Sequence, residues 1–491
     1  MVFGIIAISR IFNYNTVRFV YVTGEHLSCI ILYVYCNKYY NIHRIHFMKS
    51  KRKMKALHHT RKRYPPLSKI NGKRISNKGG WVTLHIYGNA FERGYAHGML
   101  LGTKIKHNIG LLPFFVNQYY HMTMDEYSAA CINEIKPIVA NDFKEFYEEL
   151  EGIAHAMREQ WINVSIDDLI CWNLIMSMHS YKSKCSAFIA TGDATQNGDI
   201  IMAHNTHTDY VDGQLQNVIL YITPSRGYSF VMQCSAGNIA SGTDWFLCSS
   251  GIMGCETTIY GINYKPIFGS PFFCRIRRAM QYGKTIDDYV DIMLEKNAGD
   301  YACSWLLGNT NTNEIARFEI GLKEHSIQKT FHGVYYGMNS TIDNHLRTKE
   351  TIDHDIYNMT TTTGARRLRM NQLLNNEYYG KITLQIAKKI LADHYDVYTH
   401  TNTPNSRSIC RHSDVDGESV SSSPFYPFGS TDGKVVNSAY AKKMQFIGKF
   451  GHCCGKTFHA KRFLEKHPQY KPWENVLNDM PANHWTMITK N

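Results

Sequence analysis

Two rhythms divide this chain. After residue 90, apolar side chains recur at three- and four-residue intervals, the spacing that lines one helix face. After residue 185, short runs rich in β-branched and aromatic residues alternate with tight-turn residues, the grammar of strands. In "GGWVTLHIYGNAFERGYAHGMLLGTKIKHNI" a short strand over 81–87 leads through a glycine-punctuated turn into a helix. Residues 125–160 read as two helices. Ser165 with Asp167 and Asp168 marks another helix start, followed at helical spacing by Ile166, Leu169, Ile170, Leu174 and Met178. Downstream, "CSAFIAT", "DIIMAHN", "NVILYITP", "YSFVMQCSA", "WLLGNTNTNEIARFEIG" and "SIQKTFHGVYYGMN" are strand-like. Helical patterns return at "SPFFCRIRRAMQYG", "TIDDYVDIMLEKN", "GARRLRMNQLLNN" and "TLQIAKKILADHY". The class this predicts is α+β: a helical first third, then antiparallel sheet with helices packed on it.

One junction carries candidate chemistry. The helix that starts at Ser165 runs out in "SYKSK", and Cys185 opens the next strand. Asn197-Gly198 is the commonest two-residue hairpin signal. With these two as the turn, Gln196 faces Asp199, Cys185 faces Tyr210 beside Asp209, and Ala190 faces Asn205. A thiol, a carboxylate and several hydrogen-bonding groups then meet at one strand end, which is what an activated nucleophile needs. A cysteine packed at a sheet edge explains the same residues equally well. Metal binding by His204, His207 and Asp209 is disfavoured, because a strand sends 204 and 207 to opposite faces. A papain-like Cys–His pair lacks its local signature in "KCSAF".

Composition narrows the partners. The chain has 491 residues, 44% hydrophobic and 19% charged, enough for a large core and unlike a disordered polymer. Its net charge of +13 suggests nucleic acid until it is located. Residues 49–78 hold 12 Lys or Arg and no acid, residues 1–48 add +3, and the remaining 413 carry about −2. The charge belongs to a tail over 1–78, read as disordered. It offers weak contact with an anionic surface and no specific nucleic-acid site. "CIILYVYC" is too short to span a membrane, and no clean signal peptide is present. Met48 is an alternative start, and the body reads as soluble. Thirteen cysteines without a C-x-x-C pair, and the adjacent Cys453 and Cys454, predict a mostly reduced protein. No metal or organic cofactor is expected. Sequons occur at Asn163, Asn339 and Asn358.

Several blocks resemble a known group. "CSAFI" followed by "AHNTHTDY", then "SSGIMGCETTI" and "FYPFGSTDGKVVNSAYAKKM", are similar to segments of the phospholipase B-like proteins. "GNAFERGYAHGMLLGTKI" and "SICRHSD" resemble the related acyltransferase branch typified by isopenicillin N acyltransferase. Together the blocks span about residues 80–488. The resemblance implies an N-terminal-nucleophile (Ntn) cysteine hydrolase with an αββα sandwich. It would have a helical propeptide over 79–184 and a catalytic domain over 185–491. In that family the precursor cuts itself before the cysteine, here Lys184–Cys185, and the freed α-amine serves as base for the same thiol.

Carried over by position, Cys185 is the nucleophile, and His204 and Asn205 fall in the block after the hairpin. Asp209 stands nearest to an expected carboxylate. Asn339 is the expected oxyanion donor, and Arg411 the expected cation near the thiol. Arg93 and His97 are expected to pack a helix, Glu256 to be a buried structural carboxylate, and Asp432 with Lys434 a structural pair. The substrate implied is an acylated small molecule or phospholipid, cleaved through an acyl-thioester. The same intermediate trapped by an amine would make an acyltransferase. A catalytically degenerate binding or structural protein is the non-enzymatic alternative. The family is commonly lysosomal or secreted.

Overall fold

In the computed structural model the described residues are 69–175, 177, 184–242, 245–353, 355–421 and 423–490, with the backbone of 16–17 and 34–35. Contacts separate two units, Met1–Pro66 and Leu67–Asn491. In the first, Thr16–Val17 pairs antiparallel with Val34–Tyr35. Residues 49–68 of the basic run lie outside the described residues. Gly72–Lys78, assigned from charge to the disordered tail, is instead a strand (β1) paired with Trp81–Gly88 (β2). Residues 79–184 and 185–491 both lie within the larger unit.

The larger unit is a mixed α+β fold. Beyond β1 and β2 its strands are β3 (Lys184–Gly192), β4 (Gly198–Asp209), β5 (Val218–Pro224), β6 (Phe230–Cys234), β7 (Trp245–Cys248) and β8 (Ile252–Thr258). They continue as β9 (Cys303–Asn309), β10 (Glu314–Ile320), β11 (His325–Thr330), β12 (Gly333–Gly337), β13 (Phe428–Ser430), β14 (Asp432–Asn437), β15 (Phe446–Phe450) and β16 (Thr486–Ile488). Nine strands form one sheet in the order β11-β10-β9-β8-β7-β6-β5-β2-β1. Seven form a second, β12-β3-β4-β14-β15-β16, with β13 also on β4, and Tyr395–Asp396 pairs with Thr401–Asn402 in a separate two-stranded ribbon. Pairing is antiparallel except where β2 lies parallel to β5. That pairing inserts chain from before Cys185 into the larger sheet.

Strand alternation sorts β3 and β4 into two environments. Ala187, Ile189, Ile200 and Met202 join the core shared with the nine-stranded sheet. Phe188, Ala190, Ile201 and Ala203 pack instead with residues of the helices Thr362–Asn371 and Leu384–Leu391, among them Met370 and Ile390. The helical first third is present, with Ala90–Gly110 (α1), Lys144–Glu159 (α2) and Ile166–Asn173 (α3); Ser165 caps the third as expected, and Asn89 caps the first. No helix among the described residues is long and apolar enough to cross a membrane.

The hairpin register differs from the two-residue turn. Residues 193–197 form a longer connection between Gly192 (φ +60°) and Gly198 (φ +76°). Thr195 Oγ1 bonds the carbonyls of Gly192 and Asp199, and Gln196 N–H bonds Ile382 O. The longer loop moves each partner by four positions: Cys185 faces Thr206, Ser186 faces Asn205, and Ala190 faces Ile201. Four is even, so each side chain keeps its face while its neighbour changes.

Candidate active site

Cys185 is 1% exposed at the start of β3. The β12–β3 register ends at Gly337 opposite Ala187, and its continuation places Asn339 opposite Cys185. At that point the backbone leaves the ladder, for Asn339 has φ +74°, a conformation asparagine tolerates better than most residues. Its side chain takes over the missing ladder bond: Oδ1 accepts the Cys185 N–H at 3.0 Å. Nδ2 donates to Thr258 O at 2.9 Å. Asn339 was expected to donate to an oxyanion; here its amide is oriented by Thr258 and its oxygen holds the Cys185 nitrogen. Asn339 is fully buried, whereas the other two sequon asparagines, Asn163 and Asn358, are exposed.

The cation beside Cys185 is Arg366, which the sequence reading missed. It is fully buried, and neutral acceptors take all five of its N–H donors. Nη1 donates to Cys185 O (2.8 Å) and Ser186 Oγ (2.9 Å), Nη2 to Met338 O and Asn339 Oδ1 (3.0 Å each), and Nε to Thr362 O (2.9 Å). Burial, and then the charge of Arg411, push its pKa down to about 9, while the charge at Cys185 acts in the opposite direction. Arg411, expected to be this cation, bonds Ser413 Oγ through Nε and lies over the Phe428 ring. It acts on Arg366 through its field.

Thr206 shares Cys185's face, because directly opposed residues point the same way. Its Oγ1 accepts from Lys434 Nζ at 2.9 Å, and its N–H donates to Asp432 Oδ1 at 3.1 Å. Lys434 and Asp432 form the expected pair, buried at 2.7 Å, with Gln233 Nε2 donating to the other carboxylate oxygen.

The remaining predicted residues do not gather around Cys185. Asn205 lies on the opposite face and donates to Leu391 O and Ile409 O. His204 is on the Cys185 face, but its ring hydrogen-bonds Glu256 O at 3.0 Å. Burial and Lys434 hold it neutral, with its pKa well below the ordinary histidine value. His207 lies buried on the opposite face of β4 and bonds Ile409 O, so the two imidazoles do face apart. Asp209 corrects the hairpin argument. It caps the short helix Tyr210–Gly213 by accepting from Asp212 N–H, and it also accepts from Tyr119 Oη. The longer loop places it three residues beyond Thr206. Arg93 and His97 pack as expected: Arg93 bonds Glu149, Glu145 and Gly88 O, and His97 accepts the Gly237 N–H. Glu256 is buried and accepts from Tyr301. Cavities of about 30 and 250 Å³ are lined by other residues.

Comparison with known proteins gives distant similarities. No family model matches the sequence. An uncharacterized protein of Archaeoglobus fulgidus is 24% identical over 241 residues, covering 45% of this chain and 40% of that relative. The match thus spans less than half of the relative's length. Among solved structures, a mutant conjugated bile acid hydrolase from Clostridium perfringens aligns with a TM-score of 0.28 and 7% identity. The alignment covers 62% of this chain and 97% of that one.

Proposed function

We propose that this protein is a self-processing cysteine hydrolase of the N-terminal-nucleophile type, acting on an acyl amide or ester through Cys185. One observation carries the reading: a buried cysteine opens a strand with its own N–H held by the Asn339 side chain and its carbonyl held by Arg366. A packing cysteine needs neither, whereas a cysteine whose nitrogen becomes a base needs that nitrogen fixed. The two facing sheets with helices outside β3 and β4 suit the αββα arrangement of such enzymes.

In this reading the Cys185 thiol attacks the Lys184 carbonyl. The peptide C–N bond breaks as a thioester forms, and the Cys185 nitrogen leaves as an amine. Water then hydrolyses the thioester to a Lys184 carboxylate. The freed α-amine has a reference pKa of about 7.7–8.0, near the optimum for a general base at neutral pH. It takes the thiol proton, and Arg366 favours the thiolate. The thiolate attacks the substrate carbonyl, the amine returns the proton to the leaving group, and water clears the acyl-thioester. Asn339 and Arg366 are positioning residues. The resemblance of the sequence blocks makes a phospholipid acyl ester the first substrate to test.

Purified protein should run as fragments of 184 and 307 residues on a denaturing gel, with Cys185 at the new N-terminus by sequencing. Cys185→Ala should remain full-length, folded and inactive. Cys185→Ser should process in part, because the fold holds the hydroxyl at the carbonyl, yet turn over substrate at least about a hundredfold more slowly. Cleavage of Cys185→Ala between 184 and 185 would overturn the reading.

A further inference from the structure

Three segments distant in sequence converge at a second cluster. His394 follows the helix Leu384–Leu391, Cys410 and His412 flank Arg411, and Cys454 lies in the turn after β15. Each offers one ligand atom, and the four atoms all lie within 4.8 Å of one another. His412 Nε2 is 3.6 Å from Cys410 Sγ and 3.5 Å from Cys454 Sγ. A tetrahedral zinc ion with ordinary Zn–S and Zn–N bonds sets adjacent sulfur and nitrogen donors about 3.6 Å apart. The two spacings are those of a zinc tetrahedron.

The surroundings fit the same ion. His412 turns Nδ1 towards Asp414 Oδ1 at 3.7 Å, and Asp414 is itself fixed by Tyr210 Oη at 2.6 Å. A carboxylate behind a ligating imidazole is the usual support that fixes its tautomer and orientation. The buried Nε2 of His394 has no hydrogen-bond partner in the protein. Two thiols and two imidazoles are a poor hydrogen-bonding set among themselves, since sulfur is a weak donor and acceptor. They are a good set for a borderline-soft ion, and a poor one for magnesium or calcium.

We infer that His394, Cys410, His412 and Cys454 bind one zinc ion in a closed, structural Cys2His2 site. All four positions are protein ligands, so the ion has no open position for catalysis. Its role is to tie the 409–412 segment to the turn after β15. Ile409 O receives hydrogen bonds from Asn205 and His207, and Arg411 O receives one from Ser430 N–H. The ion would therefore brace β4, the strand that presents Thr206 to Cys185. Intervals of 15, 1 and 41 residues between successive ligands match no familiar zinc motif.

The test uses the full chain, purified with reductant and without chelator after growth with zinc. Elemental analysis should find about one zinc per chain, and Cys454→Ala should retain below about a tenth of it. Cys453→Ala, whose thiol bonds Asp432 O instead, should keep the ion. Cobalt exchanged into the wild-type protein should show the intense visible bands and sulfur charge-transfer absorption of a tetrahedral thiolate site. That spectrum decides the matter if Cys454→Ala proves insoluble. A wild-type chain that binds neither metal when reduced, undiminished zinc in Cys454→Ala, or a native Cys410–Cys454 disulfide would each overturn the inference.

Discussion

Arg366 decides how the proposed nucleophile, Cys185, is read. A buried guanidinium whose five donors all meet neutral acceptors keeps its charge uncompensated, and a neighbouring thiolate is the natural counter-charge. Lysine would keep a charge but has three donors on a flexible stem, so it cannot serve the same acceptors. Arg366→Lys should slow processing at neutral pH by about a hundredfold or more, the scale of losing a preorganised electrostatic donor. Raising the pH should recover part of the loss, because base then supplies the thiolate that the guanidinium no longer favours. Processing half-times followed on gels across pH would measure this. A loss that pH does not recover would make Arg366 merely structural. The sequence did carry a trace of this residue. In "GARRLRM", Arg366 shares a buried stripe with Met370, while Arg367 and Arg369 are partly exposed. Three arginines in four positions read as a solvated face, and only packing separates them. Cys185 stood out because it opens a strand where a local rule changes, whereas Asn339 was singled out only through the resemblance of "GMNS" to the related family.

At the scale of elements, periodicity located most helices and strands, but register depended on one turn. Asn197-Gly198 looked sufficient for a two-residue hairpin; hydrogen bonds from Thr195 and from Gln196 to the distant Ile382 select a longer loop. No local pattern announces a partner that far away. The parallel pairing of β2 with β5 was invisible for the same reason. Glycines recur in α1 at 94, 98 and 102, and the structure gives their cause. A Cβ on Gly94 would stand 1.9 Å from Glu149 O, and one on Gly152 would stand 2.3 Å from Phe91 O, so α1 and α2 cross backbone to backbone. Both clashes are with main chain, which cannot rotate away. Gly94→Ala should therefore cost at least about 2 kcal/mol in urea unfolding, an overpacking penalty. Gly110 ends the same helix in open space, and Gly110→Ala should be neutral or slightly stabilising. Equal effects at the two positions would refute backbone contact as the reason for the glycine spacing.

For the whole molecule the predicted consequence is a stability that falls steeply with mild acid. Among the histidines buried in neutral form are His97 on α1 and His204 and His207 on β4. His97 accepts the Gly237 N–H, and burial, opposed by Glu149 and assisted by Arg277, holds its pKa at about 4. His204 and His207 are held well below the ordinary value by burial, with Lys434 adding to the first and Arg366 and Arg411 to the second. In the unfolded chain each titrates near 6.5. Above that pH neither state binds these protons and the groups are neutral to stability. Below it the unfolded chain gains a proton at each site and the folded one does not, so stability falls by up to about 1.4 kcal/mol per pH unit per histidine. For His97 the window runs from about 6.5 down to about 4. Between pH 7.5 and 5.5 the three together should remove about 4 kcal/mol, a large share of the 5–15 kcal/mol typical of a folded protein. Urea unfolding at the two pH values measures it. In His97→Gln the amide oxygen can still accept the Gly237 N–H, and the group no longer titrates. The pH-dependent loss should then shrink by roughly 1.4 kcal/mol. If it does not shrink, His97 takes up its proton in the folded state, and the motif that packs α1 against the sheet binds it as a cation.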